Sequence, residues 1–297
     1  MKKFTLNNGT QIPAIAFGIG TKFFRGQDQN HAPDDLDFKI TEAVKTALKT
    51  GYTHLDNAEV YGNELEVGLA LHDPNVKRSD LYITSKLLKN IKDPKNALNE
   101  SLQRLNTSYL DLYLIHAPFF SEESHGISLE DAWKQLEGLV DAGVVKSIGV
   151  SNFRIRDLER ILKICRIKPT VNQIEYHAYL QSRELVQFCK ENQILVAAYG
   201  PLTPIFRKPD GPLGAVLEKL SKKYSVKPEI ILLRWVYQQG ILVVTTSSNP
   251  ERQKEVLSYF QENKDKQEFA LSTEDMDEIS TVGATHNYRH FWKNEEF

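Results

Sequence analysis

Eight times along the chain a short β-rich run is followed by a stretch with helical spacing. The runs are AIAFG (14–18), YTHLD (52–56), LYITS (81–85), LDLYLIH (110–116), KSIGVS (146–151), TVNQIE (170–175), ILVAAY (194–199) and ILVVTT (241–246). The intervening stretches carry helix signals. In DPKNALNESLQRLN, Asp93 is placed to cap and Pro94 to start a helix. In SLEDAWKQLEGLVDAG, Ser128 caps, Asp131 makes a shortened capping box, and Gly143 closes the end. Strand then helix, repeated at this spacing, predicts parallel strands joined by right-handed crossovers. Eight such units close into a (β/α)8 TIM barrel, an α/β fold. An open doubly wound sheet would need a glycine-rich fingerprint opening a helix after the first strand, and GIGTKF has only Gly-x-Gly with no helical pattern behind it. Residues 2 to 13 read as an N-terminal β-hairpin turning at Asn8-Gly9 and capping the barrel bottom. The tail GATHNYRHFWKNEEF is too aromatic for a linker and is expected to form a C-terminal loop over the site. Barrels of this kind exceed the usual domain-size prior, so residues 1–297 are expected to form a single domain.

Composition excludes several classes of partner. The formal net charge is −2 and no basic stripe is present, which argues against nucleic acid and against an anionic membrane surface. The initial Lys2-Lys3 pair is not followed by an apolar signal core. The most apolar run, IILLRWV, is interrupted by Arg234 and is too short to span a bilayer. Cys165 and Cys189 lack metal-type spacing and read as buried structural thiols in a reducing compartment. The expectation is a cytoplasmic, monomeric protein that takes a small molecule and holds no metal.

In a barrel, chemistry gathers where strands end at the C-terminal face. The second run ends at Asp56, with Tyr61 in its loop. Lys86 follows the third and His116 ends the fourth. Ser151 and Asn152 end the fifth, Gln173 lies on the sixth, Tyr199 ends the seventh, and the eighth runs into TTSSNPER. Each has an ordinary explanation alone: a turn-forming Asp, a packed Tyr, a solvated Lys, a satisfied core His. Together they would point into one mouth. A charged Lys86 beside Tyr61 is expected to lower the phenol from its reference value near 10, making it a general acid near neutral pH. Asp56 would hold Lys86 charged, and His116 would orient or polarise a carbonyl oxygen. Glu59 and Glu64 read as ordinary loop and helix-start charges, His54 and His177 as structural residues.

The stretch GYTHLDNAEVYGNE resembles the first signature of the aldo-keto reductases. LDLYLIHAP, IGVSNF and VNQIEYH are similar to that family's later landmarks, in the same order, and the resemblance runs from GTQIPAIAFGIGT to SSNPER. It implies a barrel that binds a nicotinamide cofactor, NADPH, and reduces a carbonyl by hydride transfer. The family's catalytic tetrad falls on Asp56, Tyr61, Lys86 and His116, with Tyr61 protonating the oxygen. By the same resemblance Ser151, Asn152 and Gln173 hold the carboxamide and Tyr199 stacks on the ring. Thr21 and Asp56 line the ribose side, and Gly200 and Leu202 the pyrophosphate loop.

The sequence also departs from the family. Where relatives carry Pro-Lys-Ser after the eighth strand, this chain has Thr245, Thr246 and Ser247, so Thr246 stands at the lysine position. Arg252 keeps its spacing and, with Ser247 and Ser248 at a helix start, makes a phosphate site that still favours NADPH. Glu255 is placed for the adenine edge. Ala117 stands where many relatives have Trp, and Lys22 where an aromatic is common. Phe23, Phe24, Phe119, Phe120, His290, Phe291 and Trp292 are left to wall the substrate site with His116 and Ala117. The TTSS variant and the altered wall resemble the fungal branch that reduces conjugated polyketones, ketopantoyl lactone and α-keto amides or esters. Three other readings compete. Lys86 could be a Schiff-base nucleophile of an aldolase. His54, Asp56, His116 and His177 could serve a metallohydrolase, although no chelating set closes the shell. The barrel could also be a non-catalytic subunit that senses the cofactor.

Overall fold

The structure is a computed structural model that describes residues 1–26, 35–261 and 269–295. An antiparallel hairpin, β1 (Lys3–Thr5) and β2 (Gln11–Pro13), precedes the strands β3 (Ile15–Gly18), β4 (His54–Asp56), β5 (Tyr82–Leu87), β6 (Leu110–Ile115), β7 (Val145–Ser151), β8 (Val171–Glu175), β9 (Leu195–Tyr199) and β10 (Leu242–Thr245). β3 to β10 pair in parallel and in sequence order, and β10 returns to β3, which closes the barrel. The (β/α)8 barrel expected from the alternating pattern is therefore the fold. Its helices are α1 (Phe38–Thr50), α2 (Glu64–Leu71), α3 (Pro94–Arg104), α4 (Glu122–His125), α5 (Leu129–Asp141), α6 (Ile155–Ile164), α7 (Arg183–Glu191), α8 (Thr203–Phe206), α9 (Gly214–Tyr224), α10 (Pro228–Gln238), α11 (Pro250–Ser258) and α12 (Thr273–Ala284).

Local chemistry sets the helix ends. The Asp93 side chain accepts the Asn96 amide with Pro94 at the first position of α3, and Ser128 accepts the Asp131 amide at the start of α5. The C-cap of α5 is Ala142 rather than Gly143, which follows it at φ 72°, in the left-handed region glycine enters without cost.

Strand side chains alternate between two cores. Outward positions such as Leu55, Ile83, Tyr113, Ile148 and Ile174 pack under the helices with Val44, Leu98, Trp133 and Trp235. Inward positions Ala16, Tyr82, Leu112, Leu114, Val171, Ala197, Leu242 and Val244 fill the barrel, joined from below by Leu6 and Ile12 of the hairpin. Asn7 and Asn8 fasten that hairpin to the Pro169 carbonyl and the Ser147 hydroxyl, so it does cap the barrel bottom.

The two-residue period of a strand then dictates the top. Inward Tyr82 and Thr84 lead to Lys86, Leu112 and Leu114 to His116, Val171 and Gln173 to Glu175, and Ala197 to Tyr199. The interior is apolar where the hairpin plugs it and polar where the strands end.

Candidate active site

Asp56, Lys86 and Tyr61 form a hydrogen-bonded row at the upper end of the barrel. The Lys86 ammonium donates to Asp56 Oδ1 at 2.6 Å, to the Asn57 carbonyl at 2.8 Å and to the Tyr61 hydroxyl at 3.2 Å. All three of its protons are thus directed. His116 stands edge-on to Tyr61, with ring centroids 5.7 Å apart. Tyr61 reaches this place on a single 3-10 turn, Glu59–Tyr61, above β4. Gly20 leaves it room, because a Cβ there would lie 2.9 Å from Tyr61 Cζ.

The two acids taken from sequence as ordinary charges are buried instead. Glu59 accepts the Leu88 and Asn90 amides and so fixes the loop beyond β5. Glu64 accepts Ser85 Oγ and pairs with Arg104. Burial pushes the Glu59 carboxyl up, and the amides pull back only part of the way. His54 is structural, as expected: its Nε2 bonds Thr84 Oγ1 and its ring abuts Tyr82.

Electrostatics correct the expected tuning of Tyr61. Burial raises its pKa more than the Lys86 charge lowers it, so the phenol sits above its ordinary value and holds its proton. Burial alone would discharge Lys86, but Asp56, with Tyr61, more than reverses this and keeps the ammonium charged. His116 is driven well below the usual histidine range by burial and then by Lys86, so its imidazole is neutral. A neutral phenol, a fixed cation and a neutral imidazole therefore meet at one opening.

That opening is a cavity of about 540 Å³ lined by, among others, Thr21, Phe24, Asp56, Tyr61, His116, Asn152, Gln173, Tyr199, Gly200, Leu202, Thr246, Phe291 and Trp292. One wall is a continuous polar network. Gln173 donates to Asp56 Oδ2 at 2.7 Å across the barrel. Ser151 Oγ bonds the Gln173 carbonyl, and Asn152 receives the Tyr199 hydroxyl at 2.7 Å while donating to the His116 carbonyl. Asn152 adopts φ 61°, a conformation asparagine tolerates. Ser151 lies behind this wall and supports Gln173 and Asn152.

A second lobe of about 220 Å³ shares Leu202, Phe206, Thr245 and Thr246 with the first and adds Ser247, Arg252, Glu255 and Lys227. Thr246 Oγ1 is buried there without a hydrogen-bond partner. One expectation changes: Ser248 is exposed and does not line the lobe, whereas Glu255 does line it, paired to Lys227 at 2.6 Å. Lys227 itself was not legible, because it precedes α10 and only the fold brings it beside α11.

The aromatic walls divide. Phe24, Phe291 and Trp292 line the cavity, and Phe119 packs behind Trp292 at 5.2 Å. Phe23 instead packs on Phe17 in the outer core, Phe120 is buried beside His125, and Ala117 is fully buried and off the cavity surface. His290 is off the surface as well and bonds Arg207. Among the described residues, no group of three or more His, Cys, Asp or Glu could hold a metal ion. His177 lies against Glu175, away from His54 at the bottom. Cys189 is buried and Cys165, contrary to expectation, is partly exposed; both are unpaired. No described helix is long and apolar enough to cross a membrane.

Residues 16–276 match the aldo/keto reductase family. The chain belongs to that family and is a carbonyl reductase, an oxidoreductase. It is 44% identical over 289 residues to the NAD/NADP-dependent indole-3-acetaldehyde reductase of Schizosaccharomyces pombe, covering 96% of this chain and 97% of that one. It is 40% identical over 301 residues to the NADPH-dependent alpha-keto amide reductase of Saccharomyces cerevisiae, covering 97% and 93%. Among solved structures, the aldose reductase of Schistosoma japonicum superposes with a TM-score of 0.80 at 35% identity, covering 98% of this chain and 94% of that one.

Proposed function

We propose that this chain is an NADPH-dependent reductase of activated carbonyl compounds: α-keto amides and esters, ketopantoyl lactone and conjugated polyketones. The observation that carries the reading is the directed row Asp56–Lys86–Tyr61 beside a neutral His116 at the cavity mouth. The alpha-keto amide activity of the Saccharomyces cerevisiae relative supports this substrate class, and the indole-3-acetaldehyde activity of the Schizosaccharomyces pombe relative supports carbonyl reduction more broadly.

The donor set fits the cofactor. The cleft has two connected lobes, an aromatic Tyr199 in one and the cations Lys227 and Arg252 in the other, with the unpartnered Thr246 hydroxyl between them. Asn152 and Gln173, backed by Ser151, would hold the carboxamide. Thr21, Asp56, Gly200 and Leu202 would flank the middle, and Ser247, Arg252 and Lys227 would take the phosphate end. When bound, the reduced nicotinamide supplies the hydride. Tyr61 gives its proton to the carbonyl oxygen as the carbon is reduced, and Lys86 stabilises the phenolate left behind. His116 is neutral and so can donate a hydrogen bond to the same oxygen without competing as the acid. The raised phenol pKa suits this role, since an acid must arrive protonated.

A carbonyl panel run with NADPH and with NADH tests the reading. Faster oxidation of NADPH on α-keto amides or esters than on simple ketones is expected. Binding of NADPH without turnover on any carbonyl would instead support the sensing subunit. The aldolase reading is disfavoured because Lys86 is fully buried, charged and has all three protons engaged; borohydride should trap no substrate adduct on it. We also propose a monomeric cytosolic enzyme, and light scattering at one chain's mass tests the monomer.

A further inference from the structure

Glu175 ends β8 with its side chain directed inward, yet neither the row at the mouth nor the polar network uses it. Its carboxylate is buried and accepts four hydrogen bonds. Three come from backbone amides of the C-terminal segment: His290 N–H reaches both oxygens, at 2.9 and 3.1 Å, and Phe291 N–H reaches Oε2 at 2.9 Å. The fourth comes from His177 Nε2, at 3.2 Å. Burial pushes the carboxyl up, but the His177 contact and the two amides outweigh it and hold it below the usual glutamate range. Amide donors aimed at a carboxylate out of water form the stronger, charge-assisted kind of hydrogen bond.

What this clasp holds is a wall of the site. Phe291 stands edge-on to Tyr199 at 5.4 Å and lines the cavity. The next residue, Trp292, has φ 54°, in the left-handed region, and this bend brings its indole to 6.3 Å from His116 and 5.2 Å from Phe119. A non-glycine residue stays there only when its surroundings fix it. Two charged groups hold the two residues immediately before the bend: Arg207 touches their side chains, bonding the His290 ring and lying over the Phe291 ring at 5.1 Å, while Glu175 grips their backbone amides.

We propose that Glu175 is a positioning residue that clamps residues 290–292 over the mouth and thereby sets selectivity for bulky carbonyl substrates. The proposal rests on the reductase reading for its substrates but not for its clasp. The clasp fixes a wall rather than a reacting group. Its loss therefore falls on the KM of large aromatic ketones and spares kcat and small aldehydes.

Glu175→Gln tests this, since it keeps the volume, removes the charge and sets an amide donor among donors. In the substrate-free chain, hydrogen exchange over residues 288–292 should quicken roughly tenfold, which follows the clasp whether or not the chain turns over any carbonyl. With NADPH, KM for an aryl α-keto ester should rise about tenfold, while kcat/KM for a three-carbon aldehyde should stay within about twofold. Trp292→Ala should mimic the KM effect, and the double variant should add little to it. Unchanged exchange in Glu175→Gln would overturn the clasp. Equal losses for both substrates, or fully additive variants, would overturn its role in selectivity. A wild-type chain inert toward every carbonyl would sink the reductase reading while the exchange result still decided the clasp.

Discussion

The two ends of this barrel bury the same kind of residue to opposite effect. His54 sits at the lower end, bonded to Thr84 and packed on Tyr82, with the hairpin below it. His116 sits at the upper end, with its ring lining the cavity. Burial strips both of their proton: His54 is brought down to about 4, and His116 also goes well below its ordinary value. The physical operation is the same, and what surrounds each ring differs. At the bottom the ring is enclosed and neutrality is a condition of folding. At the top the neutral ring is left facing open space where a substrate can meet it. A buried ionisable group is thus informative about function only together with what its remaining atoms face.

The largest expected effect separates the ends most sharply. Tyr61→Phe removes only the hydroxyl that Lys86 contacts, and general-acid loss is worth about 10²–10⁴-fold in rate. Reduction should fall by that factor while NADPH still quenches tryptophan fluorescence and the melting temperature stays within a few degrees. Near wild-type turnover in the variant would remove Tyr61 from the chemistry.

The mirror experiment is Ile12→Ala in the hairpin plug. Ile12 is fully buried among Leu112, Leu114 and Val171. Emptying that space should cost about 2–5 kcal/mol of stability. The plug lies at the end of the barrel remote from Lys86 and His116, so KM and kcat measured well below the melting temperature should be unchanged. A large shift in KM would mean that the two ends are mechanically coupled.

Much of this arrangement was legible because it follows from local periodicity. All eight strands fall within the runs read from sequence or within two residues of them. Once the pattern implies a barrel, the strand parity sends Asp56, Lys86 and His116 to one mouth. What was not legible depends on long-range packing. Glu59 and Glu64 look like surface charges until Leu88, Asn90, Ser85 and Arg104 close over them. Phe23 and Phe24 are adjacent, and only the fold turns one to the core and the other to the cavity. Burial, which reverses the expected shift of Tyr61, is a property of the whole enclosure. Glu175 meets its partners 115 and 116 residues downstream, a separation that no spacing rule spans.

The smallest effect bears on the lower histidine directly. His54 has a folded pKa of about 4 against an unfolded value of about 6.5, so between those pH values the unfolded chain binds a proton that the fold refuses. The stability this neutrality confers is fully present above pH 6.5 and is lost as the pH falls through 4. Two and a half pKa units correspond to at most about 3 kcal/mol. His116 and His177, also depressed, act in the same direction, so the wild-type slope alone does not isolate one residue. The difference between wild type and His54→Gln does. That variant is neutral at every pH and retains a hydrogen-bonding group for Thr84. Urea unfolding at pH 7, 5.5 and 4.5 should show the gap between the two proteins narrowing as the pH falls, because only wild type carries the penalty. A gap independent of pH would mean that His54 protonates in place, and the closed end would then not hold its histidine as the open end does.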